Sequence, residues 1–316
     1  MGYPLATATS KKKLNSVWNQ TNVAHAAIDI RQYFHQRKLL IDDALSRYLK
    51  SKAPQIAPAL HQAMCYSALD AGKRFRPILT LAVGELFGAK RAPVVSFACA
   101  IELIHCYSLI HDDLPSLDND DFRRGKPSCH KQFGEAIALL AGDALLTEAF
   151  FIVSDPGIAR LLGTTLSTKL IREISEAAGM RGMISGQSRE FELAEIQVTP
   201  DILEDLDRLK TGALITTAAR VGAMIGRATR KDLERITRYA RSLGLVFQIT
   251  DDILDAHEIS KENHKGIANY LSVAGKAAAS ERVQALFAEC LREIEPYGKA
   301  AEPLREIAHY VTERTQ

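Results

Sequence analysis

Asp112 to Arg124 reads D-D-L-P-S-L-D-N-D-D-F-R-R, which puts five aspartates and two arginines within thirteen residues. A second acid set, Asp251-Asp252-Ile253-Leu254-Asp255, lies in another apolar run. Two carboxylate sets on apolar elements suit hard divalent cations. Magnesium in particular takes one or two carboxylates and completes its shell with water and phosphate oxygens. The competing account is a solvated acid face for the first set and a buried salt-bridge network for the second. That network would need distant partners, because no lysine or arginine lies between Arg241 and Lys261. Uncompensated buried carboxylates are strongly disfavoured.

On a helix, Asp251 and Asp255 are i and i+4 and share a face, with Gln248 and Asp252 on the same stripe. In the first set Asp112 and Asp113 end an apolar run. Asp118 follows across Pro115, so only a bulge or loop could return it beside Asp112. His105 lies two helical turns before Asp112; alone it would be a hydrogen-bonded core histidine. Cations complete the pattern. Gly72-Lys73-Arg74-Phe75-Arg76-Pro77 precedes a helix start, where free N–H groups and the dipole suit phosphate. Arg123-Arg124 follows the acids, and arginine forks match phosphate oxygens. Lys210-Thr211-Gly212 falls at a helix junction. Singly, each is a surface charge. Together they describe two anion sites, one bridged by metal to carboxylates and the other bound by bare Lys and Arg.

Period-3.6 patterning supplies the elements that must position these groups. It predicts helices over 28–49, 59–71 (closed by Gly72), 78–87 (opened by Pro77) and 94–110, the last running to Asp112 or slightly beyond. Further helices are predicted over 135–153, 159–178, 180–193, 200–210, 213–225, 232–256, 270–294 and 303–314, with a polar loop over 257–266. No stretch shows strand-like alternation bounded by hairpin turns, and no solenoid repeat is present. The expected fold is all-α: a single-domain helical bundle over 28–316, preceded by a flexible extension over 1–27.

Composition narrows the function. At 316 residues, 47% hydrophobic and 25% charged, the chain reads as globular. A net charge of +2 gives no support to nucleic-acid binding. No run approaches the roughly 18 apolar residues of a membrane span, so no stable membrane insertion is expected. Five cysteines without C-x-x-C spacing read as reduced thiols, which points to the cytoplasm. There is no P-loop, dinucleotide fingerprint or H-E-x-x-H. A calcium loop counted from Asp118 fails, with Arg123 in place of glycine and Cys129 in place of glutamate.

The ordered motifs resemble those of trans-type isoprenyl diphosphate synthases, most of all the bacterial farnesyl diphosphate synthase (geranyltranstransferase) branch. The resemblance rests on 72–77, 102–115, 118–127, Phe133-Gly134-Glu135, Ala141-Gly142-Asp143-Ala144, Gly186-Gln187, 210–214, Phe247-Gln248 and 251–255, and spans about residues 30–256. It implies the isoprenoid synthase fold around a central prenyl cavity. It also implies magnesium, three ions per site with manganese as a substitute, held by Asp112, Asp118, Asp251 and Asp255 with Asp113 and Asp252 in support. Arg123, Lys210 and a lysine after the second motif would serve an allylic diphosphate. Of the latter, Lys265 is the positional candidate and Lys261 its rival. Lys210, Thr211 and Gln248 would face the allylic carbocation. Lys73, Arg76, His105 and Arg124 would hold isopentenyl diphosphate for 1'-4 condensation. The resemblance further implies a homodimer, with the apolar runs 94–110 and 135–153 as candidate faces.

Tyr107, with Ser108 beside it, is the expected product-length determinant. It lies about 7.5 Å of helix below Asp112, where a bulky side chain stops a growing prenyl tail at farnesyl (C15). Geranylgeranyl diphosphate is the alternative product. More distant alternatives are a class I terpene cyclase, against which Lys73, Arg76 and the second all-Asp set argue, and a non-catalytic synthase subunit, against which the intact acid sets argue. Two departures from the family pattern stand out. Glu190 replaces an aspartate after Gln187, and the loop after Asp255 is short and lacks the G-K…D…K-x-T-Y-P pattern.

Overall fold

The computed structural model describes residues 29–51, 56–69, 72–193, 196–258 and 268–313, with the side chains of 255–258 outside that description. Expectations that fall on 1–28 or 259–267, including Lys261 and Lys265, therefore lie outside the described residues. The protein is all-α, and its described strands amount to one two-residue pair. The chain divides into two compact units. One comprises Arg31–Leu81 and Lys90–Ile171; the other comprises Ala82–Ala89 and the chain from Arg172 onward.

In the first unit, α1 (Ile30–Lys50), α2 (Pro58–Ala68) and the first part of α3 (Phe75–Leu86) lead to α4 (Arg91–Asp112). Helix α4 is apolar all round, the pattern of a helix enclosed by its neighbours. Phe97, Ile101, Leu103 and Ile104 are fully buried, each contributing about 1.5–3 kcal/mol. After a short hairpin (β1, Phe122–Arg123; β2, Lys126–Pro127) come α5 (Cys129–Phe133), α6 (Glu135–Val153) and α7 (Pro156–Leu162), with α8 (Thr164–Ala178) continuing beyond the unit. Asp155 starts α7 by accepting from the backbone N–H of Gly157 (2.8 Å) and Ile158 (3.1 Å), with Pro156 at the first helical position. Gly163, at φ +85°, then breaks the single helix expected over 159–178 into α7 and α8.

Both α4 and α6 are long and apolar enough to cross a membrane by length and composition, contrary to the expectation from sequence. The reason differs between them. The apolar window of α4 is 83% buried inside the protein, so its apolarity serves the core, whereas that of α6 is 39% buried and leaves an apolar face outward.

In the second unit, α9 (Met183–Glu192) and α10 (Pro200–Asp207) precede a π-helical turn, Arg208–Gly212, that continues into α11 (Ala213–Ile225). Sequence reading placed a junction at Lys210–Gly212; the chain instead stays helical and is widened by one turn. Such π-turns are frequent at functional sites. Then come α12 (Arg230–Glu258), α13 (Tyr270–Ile294) and α14 (Glu302–Glu313). Helix α13 starts with a capping box between Asn269 and Ser272.

Candidate active site

In the first unit the site begins at the end of α4. Pro115 stops the helix, and the chain folds straight back. The N–H of Asp118 donates to the carbonyl of Asp112 (2.9 Å), and Leu117 and Asn119 both donate to Leu114. This six-residue loop brings Asp118 beside Asp112, as the sequence required of it, with both residues partly exposed. Asp113 points the other way: it is buried, and its carboxylate accepts from Arg123 Nε (2.9 Å) and Nη2. Arg123 also reaches Asp120 (2.9 Å), while Asp121 pairs with Lys131 (2.8 Å) at the surface.

The hairpin separates the two adjacent arginines. Arg124 (φ +55°) and Gly125 (φ +78°) occupy its turn, which needs positive φ at both central positions. Arg123 therefore faces the acids, while Arg124 lies against Gly72. A Cβ at Gly72 would sit 2.7 Å from Arg124 Nη1, so a side chain there would push the guanidinium out of this position. Gly72 thus makes room for Arg124, a role different from the helix cap expected of it. Helix α3 also starts earlier than expected, at Phe75, which places Arg76 inside its first turn.

Arg74 departs furthest from its neighbours. Its side chain is fully buried and donates to Asp42 (2.8 Å), Glu102 (2.7 Å) and the carbonyl of Ala68 (2.8 Å). It is a structural clamp on α1, α2 and α4. Lys73 is exposed and Arg76 partly buried. His105 is held well below the usual histidine pKa, first by loss of hydration and then by Arg76, Arg124, Arg74 and Arg123. A neutral imidazole among four guanidinium groups marks strong positive potential, which an anion would relieve.

Five residues before Asp112, Tyr107 is buried, and its hydroxyl has no hydrogen-bond partner among the described residues. Burial, and secondarily Asp112, pushes the phenol up to about 12. Its ring meets His111 edge-on (5.7 Å between centroids), and His111 Nε2 bonds the Leu139 carbonyl of α6 (3.1 Å). Gly142 leaves the space for that imidazole; a Cβ there would lie 2.1 Å from Nε2. Ser108 turns its hydroxyl back to the His105 carbonyl (3.0 Å).

In the second unit, Gly186 lets the π-turn approach α9, since a Cβ at Gly186 would lie 2.3 Å from the backbone nitrogen of Lys210. The Lys210 ammonium pairs with Glu190, the residue that departs from the family pattern. Thr211 donates to Gln248 Oε1 (3.0 Å), and Gln248 Nε2 donates to Asp252 Oδ1 (3.1 Å). With its proton committed, Thr211 Oγ1 offers only lone pairs to any other group. The second oxygen of Asp252 accepts from the N–H of Tyr270 (2.9 Å). Asp252, expected among the ligands, also orients Gln248 with one oxygen and accepts from the first N–H of α13 with the other. Asp251 is partly exposed, and Asp255 follows one turn later with its side chain outside the description. Asp207 is pushed up to about 8 by burial, then by Asp252, against the opposing pull of Lys210. Gln187 Nε2 is buried without a partner among the described residues.

Comparison with known proteins identifies the family of the chain. The sequence profile described as Polyprenyl synthetase matches residues 57–274, more than half of the chain. The chain belongs to the polyprenyl synthetase family. It is 40% identical over 267 residues to a farnesyl diphosphate synthase of Geobacillus stearothermophilus, covering 82% of this chain and 89% of that protein. It is 36% identical over 285 residues to a geranylgeranyl pyrophosphate synthase of Arabidopsis thaliana, covering 86% and 76%. The crystal structure of an FPP/GFPP synthase from Zymomonas mobilis superimposes with a TM-score of 0.83 at 37% identity, covering 91% of this chain and all of that one.

Within this polyprenyl synthetase, sequence reasoning missed the clamp role of Arg74, the His111–Gly142 contact and Asp207. Arg74 carried no distinguishing signal, since it is one of three cations in four residues.

Proposed function

We propose that the protein is a prenyltransferase that condenses isopentenyl diphosphate with dimethylallyl or geranyl diphosphate to make farnesyl diphosphate. The observation that carries this reading is the neutral His105 among arginines beside the returned Asp112–Asp118 pair. One set of residues suits a bare diphosphate and the adjacent set suits a metal-bridged one.

The donor set fits magnesium. Asp112, Asp118 and Asp251 are partly exposed hard-oxygen donors. Among the described residues no three His, Cys, Asp or Glu groups converge on one point, so a bound ion would share its shell with water and phosphate oxygens. Asp112 and Asp118 would hold one such ion, and Asp251 and Asp255 another. When bound, magnesium supplies stabilisation of the charge that develops on departing diphosphate.

The chain's own groups do the rest. Asp113 orients Arg123 toward the allylic diphosphate, and Lys210 adds charge on the same anion. As the allylic C–O bond breaks, its electron pair leaves with diphosphate, and the cation is met by the lone pairs of Thr211 Oγ1 and the Lys210 carbonyl. Lys73, Arg76, His105 and Arg124 hold isopentenyl diphosphate so that its double bond attacks. The proton then lost goes to the departing diphosphate.

Incubation with isopentenyl diphosphate, geranyl diphosphate and magnesium, followed by chromatography of the dephosphorylated products, tests the reading. Farnesol is expected, and absence of any prenyl alcohol longer than the geraniol supplied would end it. Arg76→Ala should raise KM for isopentenyl diphosphate at least tenfold and leave KM for the allylic partner within about twofold, in keeping with loss of a charged hydrogen bond of about 1.5–3 kcal/mol. Steady-state kinetics with each substrate varied checks this.

Tyr107 sets the product by filling the space below Asp112, and its buried unsatisfied hydroxyl is the trace of a position shaped by something other than packing. Tyr107→Ala should shift product toward geranylgeranyl diphosphate. An unchanged farnesol peak would remove Tyr107 from this role.

We also infer a homodimer. The run 94–110 is spent inside the core, so of the two candidate faces only α6 remains. Leu139, Leu140 and Phe151 there are each about half exposed (47%, 51% and 53%). A sedimentation mass of one chain would overturn the inference. The five free thiols suit a reducing cytoplasm.

A further inference from the structure

Behind the π-turn, within the second unit, is a cavity of about 1100 Å³ bounded by α8, the turn itself, α11, α12 and α13. Arg208, Leu209 and Gly212 of the turn form part of its wall. Lys210 and Thr211, on the same turn, are engaged elsewhere with Glu190 and Gln248. No residue assigned above to substrate or metal lines it.

Seven arginines and four glutamates face it, with no lysine or aspartate, and Arg208 and Arg282 are paired with Glu204 outside the wall. The glutamates are already committed, Glu173 to Arg220, Glu176 to Arg181, Glu293 to Arg238 and Glu289 to the Ser242 hydroxyl. Arg241 and Arg292, both exposed, make no hydrogen bond or ion pair with any described residue. Between the cations the wall is mixed: the hydroxyls of Thr216, Thr217 and Thr237 alternate with Leu209 and the nearly buried Leu245 and Leu286.

We propose that this cavity is a second anion site, for a phosphate- or diphosphate-bearing molecule with an apolar part, and that its occupancy acts on the π-turn. Arginine forks match phosphate oxygens in paired hydrogen bonds. The volume is that of a small-molecule cleft, and the mixed wall is that of an amphiphile's. The turn has little slack to absorb a ligand: Gly186 touches it on one side, and a Cβ at Gly244 would lie 3.1 Å from Gly212 Cα on another. A ligand pressing on Leu209 or Gly212 therefore displaces Lys210 and Thr211.

The test is calorimetric titration of the full chain in EDTA with inorganic diphosphate and, separately, with farnesyl diphosphate. EDTA removes metal-dependent binding, and an Arg76→Ala background weakens the metal-free site described above. In that background a binding component should persist and should weaken at least tenfold on adding Arg241→Glu and Arg292→Glu. It should also be tighter for farnesyl diphosphate than for the inorganic anion. No binding in the Arg76→Ala background, or binding unchanged by the two charge reversals, overturns the site. Equal affinity for the two probes overturns its apolar half and assigns it to the inorganic anion. Both arginines are exposed, and a circular dichroism melt confirms that the reversed variant is folded; if it is not, Arg241→Gln with Arg292→Gln replaces it under the same criteria. Because the readout is binding, a failure to form prenyl product would leave this result standing on its own.

Discussion

Replacing Asp112 by alanine should lower kcat with magnesium by about a thousandfold, equivalent to about 4 kcal/mol of transition-state stabilisation. The backbone hydrogen bond from Asp118 to the Asp112 carbonyl sets the two residues side by side after α4, so removal of one carboxylate halves the oxygen donors that this pair offers to a metal. Asp251→Ala should fall by a similar factor. The control is Asp121→Ala. It removes an equally acidic residue from the same cluster, but one that is exposed and paired with Lys131, and exposed pairs contribute about 0–1 kcal/mol. Turnover of Asp121→Ala should stay within about twofold of the unaltered enzyme. Steady-state kinetics at saturating substrates and magnesium separates these outcomes. Comparable activity in Asp112→Ala and Asp121→Ala would mean that the cluster acts only through its total charge.

Arg74→Ala should destabilise the fold by about 3–5 kcal/mol, because the change strands a buried carboxylate. Glu102 is 2% exposed and its charge is met by Arg74 at 2.7 Å inside α4. The same guanidinium holds Asp42 and the Ala68 carbonyl, so one deletion breaks contacts to three helices. A loss of that size is a large fraction of the roughly 5–15 kcal/mol that holds a domain folded. Arg74→Lys should recover little, since an ammonium cannot donate along the three directions of the planar fork. Combining Arg74→Ala with Glu102→Leu should restore part of the stability by removing the stranded charge. Urea denaturation of the four proteins checks the series. A loss under about 1 kcal/mol in Arg74→Ala would class this residue with surface ion pairs.

The three cations of the Gly72–Pro77 stretch show where local pattern stops being informative. Lys73, Arg74 and Arg76 have the same charge and nearly the same position in sequence, yet Lys73 is exposed, Arg74 is locked into the core and Arg76 begins a helix. Charge and spacing are properties of a segment. The partners that decide a cation's role lie 6 to 32 residues away for Arg74. The adjacent arginines at 123 and 124 repeat the lesson. Composition identifies both as phosphate-binding candidates, but the hairpin that turns one to Asp113 and the other to Gly72 depends on a positive φ at Arg124 that no periodicity reports.

The sequence by itself determined the all-α class, the helices over 94–110 and 135–153, the two acid sets with their cationic neighbours, and the family. These follow from local regularities: apolar residues every 3.6 positions, prolines and glycines at helix ends, and motifs read in order. Only the tertiary structure decided that Asp118 returns to Asp112 and that Asp113 and Asp252 face inward to Arg123 and to Gln248 with Tyr270. It alone decided that Lys210–Gly212 is a widened helical turn held against Gly186. Each of these is a choice of partner between segments distant in the chain. Such choices are made by burial and by the need to satisfy every buried polar group at once, and a linear pattern does not encode them.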